Sequence, residues 1–203
     1  ACVFGAVGFY DDYIKVVKKR NLGLKALPKL ILQLTAAAAF LAVLRYFGMT
    51  TTDVYIPFVG ATIPVGWLIY LTCALIYIAG FVNAVNLTDG IDGVASGVTL
   101  PICVFFAAVA YGADGQNAYG VFAAALAGGL VGFLIYNYNP AKIFMGDTGS
   151  LFLGGAVCGL AFVCDMPLIL IPVGLIYLAE MFSVIIQVGY FKLSHGKRIF
   201  RMA

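Results

Sequence analysis

The chain has 203 residues, 63% of them hydrophobic and only 10% charged, with a formal net charge of +3 and a mean hydropathy of +1.03. A soluble domain carries about a quarter charged residues, so this composition excludes a soluble globular fold, and no nucleic-acid partner is expected. The five cysteines (Cys2, Cys73, Cys103, Cys158, Cys164) lie in or beside apolar runs, without CxxC or Cys/His spacing, and read as packing residues.

A bilayer core about 30 Å thick takes roughly 20 helical residues to cross. Backbone facing lipid must be hydrogen-bonded internally. The apolar runs here are continuous, not alternating, and therefore predict helices. In chain order they cover residues 1–9 (the tail of a longer helix), 29–47, 65–85, 94–111, 119–136, 150–164 and 167–191. Asp165-Met166-Pro167 makes a tight hairpin between the last two. The abundant glycines let membrane helices approach closely. Residues 1–203 read as a single all-α, polytopic transmembrane domain. It is expected to be truncated at both ends, since it opens at Ala1 inside an apolar run and stops after KRIFRMA.

Each crossing flips the side. Loops 10–28, 86–93 and 137–149 and the tail from Lys192 fall on one side; loops 48–64, 112–118 and 165–166 fall on the other. The first side carries Lys15, Lys18, Lys19, Arg20, Lys25, Lys29, Lys142, Lys192, Lys197, Arg198 and Arg201; the second carries Arg45. Cytoplasmic loops are enriched in Lys and Arg, so the first side is expected to be cytoplasmic. Asp11, Asp12, Asp89, Asp92 and Asp147 share that side, which points to one site.

Three motifs supply the chemistry. In GFYDDYIK, adjacent Asp11 and Asp12 repel, which raises a pKa or recruits a cation; Lys15 follows. The plainer reading is an acidic anchor in a basic loop. In NAVNLTDGIDGVA, Asp89 and Asp92 are spaced to share one helical face, Asn86 can donate and accept, and Gly90 and Gly93 permit close approach of a ligand to the backbone. The plainer reading is capping by Thr88 or Asp89. In NPAKIFMGDTGS, Asp147 lies between glycines just before a helix. Mg²⁺ takes one or two carboxylates and leaves positions for phosphate oxygens; an N-cap is again the plainer reading. Glu180, inside the last apolar run, is an intramembrane carboxylate and so a candidate by default. There is no GxxxxGK loop and no Ser/His/Asp arrangement.

As a set, GFYDDYIK, NAVNLTDGIDGVA, NPAKIFMGDTGSL and QVGYFKLSHGKRIFRMA resemble the polyprenyl-phosphate phospho-aminosugar transferase superfamily. NLTDGIDG and the FKL…GKRIFRMA tail favour its bacterial muramoyl-pentapeptide branch. The resemblance implies a roughly ten-helix fold with a cytoplasmic-face active site in the bacterial inner membrane, of which this chain spans about the third to ninth helices. It implies transfer of phospho-MurNAc-pentapeptide from UDP-MurNAc-pentapeptide to undecaprenyl phosphate, giving lipid I and UMP for peptidoglycan, with Mg²⁺ (or Mn²⁺) as cofactor. It further implies a homodimer and inhibition by nucleoside antibiotics.

By the same resemblance, Asp11, Asp12 and Asp147 are catalytic and Asp147 holds the metal. Lys15, Asn86, Asp89, Gly90, Ile91, Asp92, Asn137 and Phe144 bind substrate, with Phe144 against uracil. The family's first two helices and the histidine-rich loop after FRMA fall outside this sequence, and His195 is not a replacement for that loop. A sibling transferase using UDP-GlcNAc is the alternative. An intramembrane prenyltransferase is disfavoured because DDYIK and GD make a poor second aspartate-rich motif. An ion-coupled transporter is disfavoured because the acids cluster at one interface, not at the midplane.

Overall fold

A computed structural model of the chain describes residues 1–17, 23–113, 115–194 and 196–199. Lys18, Lys19, Arg20, His195 and Arg201 lie outside the described residues. Among the described residues, eight α-helices and one hairpin follow in the order α1 (Cys2–Val17), α2 (Ala26–Tyr46), β1 (Asp53–Ile56), β2 (Ala61–Pro64), α3 (Trp67–Thr88), α4 (Val94–Gly112), α5 (Asn117–Asn137), α6 (Gly146–Val163), a 3₁₀ turn (Pro167–Ile169), α7 (Leu170–Val173) and α8 (Leu175–Leu193). Six of these, α2 to α6 and α8, are long and apolar enough to cross a membrane.

Four expectations need correction. The first helix does not end at residue 9 but runs to Val17, so Asp11, Asp12 and Lys15 stand on a helix face. The sixth starts at Gly146, which puts Asp147 in its first turn and not ahead of it. The last apolar run is not one helix: Gly174 separates α7 from α8. The loop 48–64 holds an antiparallel hairpin, Asp53 opposite Pro64 and Ile56 opposite Ala61. Hydropathy misses helix ends that carry charge and strands as short as these, because neither changes the average of a membrane-length window.

α6 is the axis of the bundle. Its small residues let α1 and α3 pack on it, while α4 pairs with α5 and α8 lies on α3. Leu151, Val157, Ala161 and Phe162 of α6 are buried with Val82 and Val85 of α3. A Cβ on Gly8 of α1 would fall 2.1 Å from the carbonyl oxygen of Asp147. Only the bare backbone of glycine allows this approach, and it sets the spacing between α1 and the start of α6. Of the cysteines, Cys103, Cys158 and Cys164 are buried, as packing residues would be, whereas Cys2 and Cys73 are exposed.

The helix ends sort as parity requires. The C-terminal ends of α1, α3 and α5 meet the N-terminal ends of α2, α4 and α6 at one end of the bundle, through the contacts described below. At the other end, Thr51 donates to Asp165 at 3.3 Å, and the Arg45 guanidinium lies 3.9 Å from the centre of the Trp67 ring.

Candidate active site

Asp147 is held from three helices. On one carboxylate oxygen, Oδ2, it accepts from Lys15 of α1 at 2.9 Å and from Lys29 of α2 at 2.7 Å. On the other, Oδ1, it accepts from the Asn86 amide of α3 at 2.9 Å. The same Asn86 nitrogen donates to Ser150 Oγ at 2.8 Å. Lys15 also lies 2.6 Å from Asp11 and 3.5 Å from Asp12. The basic residues of the first loop are thus more than an orientation signal: two of them neutralise one aspartate. Burial would lower the Lys15 pKa, but hydrogen bonds and charge from Asp11 and Asp147 outweigh it and hold the ammonium above the ordinary lysine range.

Asp11, 2% exposed, accepts from the Leu24 backbone amide at 2.7 Å, which holds the segment just before α2 against the site. Asp12 does something different. It accepts from the backbone amides of Asp147 at 3.3 Å and Thr148 at 2.8 Å, and from the Thr148 hydroxyl at 2.7 Å. These amides belong to the first turn of α6, whose donors have no intrahelical partner. The N-cap residue itself, Met145, makes no side-chain cap bond. Asp12 therefore caps α6 from another helix, and Gly146, at φ +65°, lets the chain enter α6 beneath that carboxylate.

Capping by Asp12 has a measurable consequence. Asp12→Ala should lower stability by about 1 kcal/mol, as loss of a helix cap does. Asp12→Asn, which keeps an acceptor, should lose less. Thermal unfolding in detergent checks this, and an alanine variant melting with the wild type would refute the cap.

The plainer readings of the other aspartates do not hold. Asp147 is inside α6 and caps nothing. Helix α4 is preceded by its N-cap residue Gly93, in a left-handed conformation, without a side-chain cap from Thr88 or Asp89. Thr88 instead donates to Ala84 O within α3. Asp92 accepts from the Ala141 amide at 2.9 Å and from Asn139 at 3.3 Å, pinning the loop after α5. Asn137, 3% exposed, accepts from Gly93 N at 3.1 Å and donates to Ile143 O at 2.9 Å, which joins that loop to α4.

These anchors frame a cleft of about 250 Å³ lined by Asn86, Asp89, Gly90, Ile91, Asp92, Asn137, Phe144, Met145, Gly146 and Asp147. Every sequence-predicted substrate residue except Lys15 lies on its wall; Lys15 stands on the other side of Asp147. Phe144 is 73% exposed, a ring free to stack on a flat ligand. Burial raises the Asp89 pKa to about 6, and the charges of Asp147 and Asp12 push in the same direction. Sequence reasoning missed Lys29 and Ser150 as site residues, and Thr148 with its bond to Asp12. The i, i+3 spacing of Asp147 and Ser150 was the available signal for Ser150.

Ligand oxygens of Asp11, Asp12 and Asp147 lie within 4.8 Å of one another. Opposite ligands of an octahedral Mg²⁺ are roughly 4 Å apart, and the Lys15 ammonium already sits among these three carboxylates. Cation binding there fits the donor set. The metal expectation of Asp147 alone widens to a candidate group of three.

Residues 1–165 match glycosyl transferase family 4. The chain belongs to that family. It is 51% identical over 202 residues to a phospho-N-acetylmuramoyl-pentapeptide-transferase of Clostridium botulinum (strain Eklund 17B / Type B), covering 98% of this chain and 60% of that protein. A protein of the same name from Acetivibrio thermocellus is 50% identical over 202 residues, with coverage of 98% and 60%. One from Listeria monocytogenes serotype 4b (strain CLIP80459) is 45% identical over 200 residues, with coverage of 98% and 61%. The chain thus spans about 60% of the length of these relatives.

Proposed function

We propose that the protein transfers phospho-MurNAc-pentapeptide from UDP-MurNAc-pentapeptide to undecaprenyl phosphate, yielding lipid I and UMP, at the cytoplasmic face of the bacterial inner membrane. The carrying observation is the junction of two features at one end of the bundle. A carboxylate–lysine cluster suited to phosphates adjoins a cleft suited to a nucleotide-sugar. A helix end near the bilayer surface is where a lipid phosphate and a soluble nucleotide can both arrive.

An oxygen of the lipid phosphate attacks the sugar-bearing phosphorus of the UDP-sugar. The bond from that phosphorus to the bridging oxygen breaks, and UMP leaves with that oxygen. Such a reaction asks mainly for positioning and charge neutralisation. Asp11 orients the incoming lipid phosphate. A phosphate is largely ionised near neutral pH, so little deprotonation is asked of it. Lys15 and Lys29 swing from Asp147 toward phosphate oxygens. Asn86, Asp89, Gly90, Ile91, Asp92 and Asn137 hold the nucleotide-sugar, with Phe144 stacked on uracil. Nucleoside inhibitors compete for this cleft. Asp147 and Asp11, with Asp12 beside them, would hold Mg²⁺ or Mn²⁺. When bound, the ion neutralises the diphosphate and the departing UMP.

The test supplies the full-length protein in detergent with undecaprenyl phosphate, Mg²⁺ and either UDP-MurNAc-pentapeptide or UDP-GlcNAc, and measures UMP. Release from the first alone is expected. Release from UDP-GlcNAc alone would move the protein to the sibling reaction, and release from neither would overturn the proposal.

A further inference from the structure

A second polar contact lies one helical turn deeper in the bundle. Gln33 of α2, 0% exposed, faces Asn83 of α3 in a reciprocal amide pair. Asn83 Nδ2 donates to Gln33 Oε1 at 2.6 Å, and Gln33 Nε2 donates to Asn83 Oδ1 at 3.3 Å. Asn83 also donates to Ala79 O of its own helix at 2.8 Å, which fixes the plane of its amide. Asn83 is half-buried, and its sequence neighbours Val82 and Ala84 on α3, like Ala36 and Ala37 on α2, are buried apolar residues.

Neighbours on these two helices give the pair its meaning. Gln33 is four residues after Lys29, and Asn83 is three before Asn86, so each stands directly above its partner on one helix face. Lys29 and Asn86 grip the two oxygens of Asp147. Apolar packing between α2 and α3 would tolerate a slide of a fraction of a turn, since it has no direction. Two reciprocal amide bonds do not: sliding either helix breaks both, and the fully buried Gln33 amide finds no water in exchange. A single buried polar contact can set register in this way in helical assemblies.

We infer that Gln33, acting through Asn83, is a positioning residue that fixes the register of α2 against α3 and so aims Lys29 and Asn86 at the two oxygens of Asp147. The catalytic part of this inference rests on the transferase reading; the geometric part does not.

The test uses Gln33→Asn, which shortens the reach by one methylene, and the exchange Gln33→Asn/Asn83→Gln, which restores the total length. Gln33→Leu serves as a second disruption if the first leaves the pair bridged. Two readouts are taken in the full-length protein in detergent. One is kcat and KM for UMP release. The other is the rate at which an N-hydroxysuccinimide acetate reagent modifies Lys29, followed by mass spectrometry. Gln33→Asn should cut kcat about tenfold with KM within threefold, and should raise Lys29 modification at least threefold. The exchange should return both toward wild type. Unchanged Lys29 modification in both disrupting variants would overturn the inference. So would losses that follow the melting temperature and are not recovered in the exchange. A wild type that releases no UMP would defeat the transferase reading alone, because Lys29 modification still decides the amide pair.

Discussion

Asp147→Asn should lower kcat by a hundred- to a thousand-fold, the order lost when one preorganised charge-stabilising group is removed from an active site. Asp147 is the point on which α1, α2 and α3 converge, through Lys15, Lys29 and Asn86. Asparagine is nearly the same size and can still accept on one side, so the bundle should remain assembled. What goes is the negative charge. Lys29, whose side chain is 16% exposed, then faces a neutral amide, and Lys15 is left to Asp11 and Asp12. Replacing a charged acceptor with a neutral one costs about 1–2 kcal/mol, a modest fall in melting temperature. The loss should be in kcat more than in KM, since the cleft wall formed by Asp89, Gly90, Ile91 and Asp92 is untouched. Steady-state UMP release with a parallel melting curve checks both. A variant within threefold of wild-type kcat would remove Asp147 from the reaction.

The helices and the sharing of one end by all three acidic motifs were legible because both follow from counting. A run of apolar residues long enough to cross a bilayer has few alternatives, and crossings alternate sides. The cleft residues were legible through the motif resemblance, and the structure brings Asn86, Asp89, Asp92, Asn137 and Phe144 onto one wall. What stayed illegible are the pairings across helices. Asp12 follows Asp11 in the chain, yet caps a helix that begins 134 positions later at Gly146; no local pattern carries that. Lys29 could be assigned a side of the membrane but not a partner. Gln33 lies in the apolar run of α2 and Asn83 opens the NAVNLTDGIDGVA motif, and only the α2–α3 packing makes them a pair. Glu180 is exposed on α8 and does not line the cleft.

Gly8→Ala should be nearly as damaging to activity as removal of Asp147, although Gly8 touches no substrate. An added Cβ would meet the Asp147 carbonyl oxygen at 2.1 Å, its carbonyl carbon at 2.5 Å and the Thr148 nitrogen at 2.7 Å. All three are backbone atoms in the first turn of α6, so no side chain can swing aside. The two helices must part by about 1 Å before ordinary contact distances return. α1 carries Asp11, Asp12 and Lys15, and α6 carries Asp147; their separation is the geometry of the carboxylate cluster. The capping bonds from Asp12 to Asp147 N, at 3.3 Å, and Thr148 N, at 2.8 Å, would stretch out of range together. Overpacking of this kind costs about 1–3 kcal/mol, which a helix bundle of this size can survive. Catalysis is less forgiving, because a displacement of about 1 Å at reacting groups can cost roughly a hundredfold. The variant should therefore insert, purify and melt cooperatively, yet release UMP about a hundred times more slowly. Gly5, one turn earlier, would meet its nearest neighbour, the Phe152 Cβ, at 3.2 Å, a far smaller overlap that a slight shift relieves, so Gly5→Ala should retain most activity. Equal losses in the two variants would mean that helix packing in general, and not the Gly8–Asp147 contact, limits the enzyme.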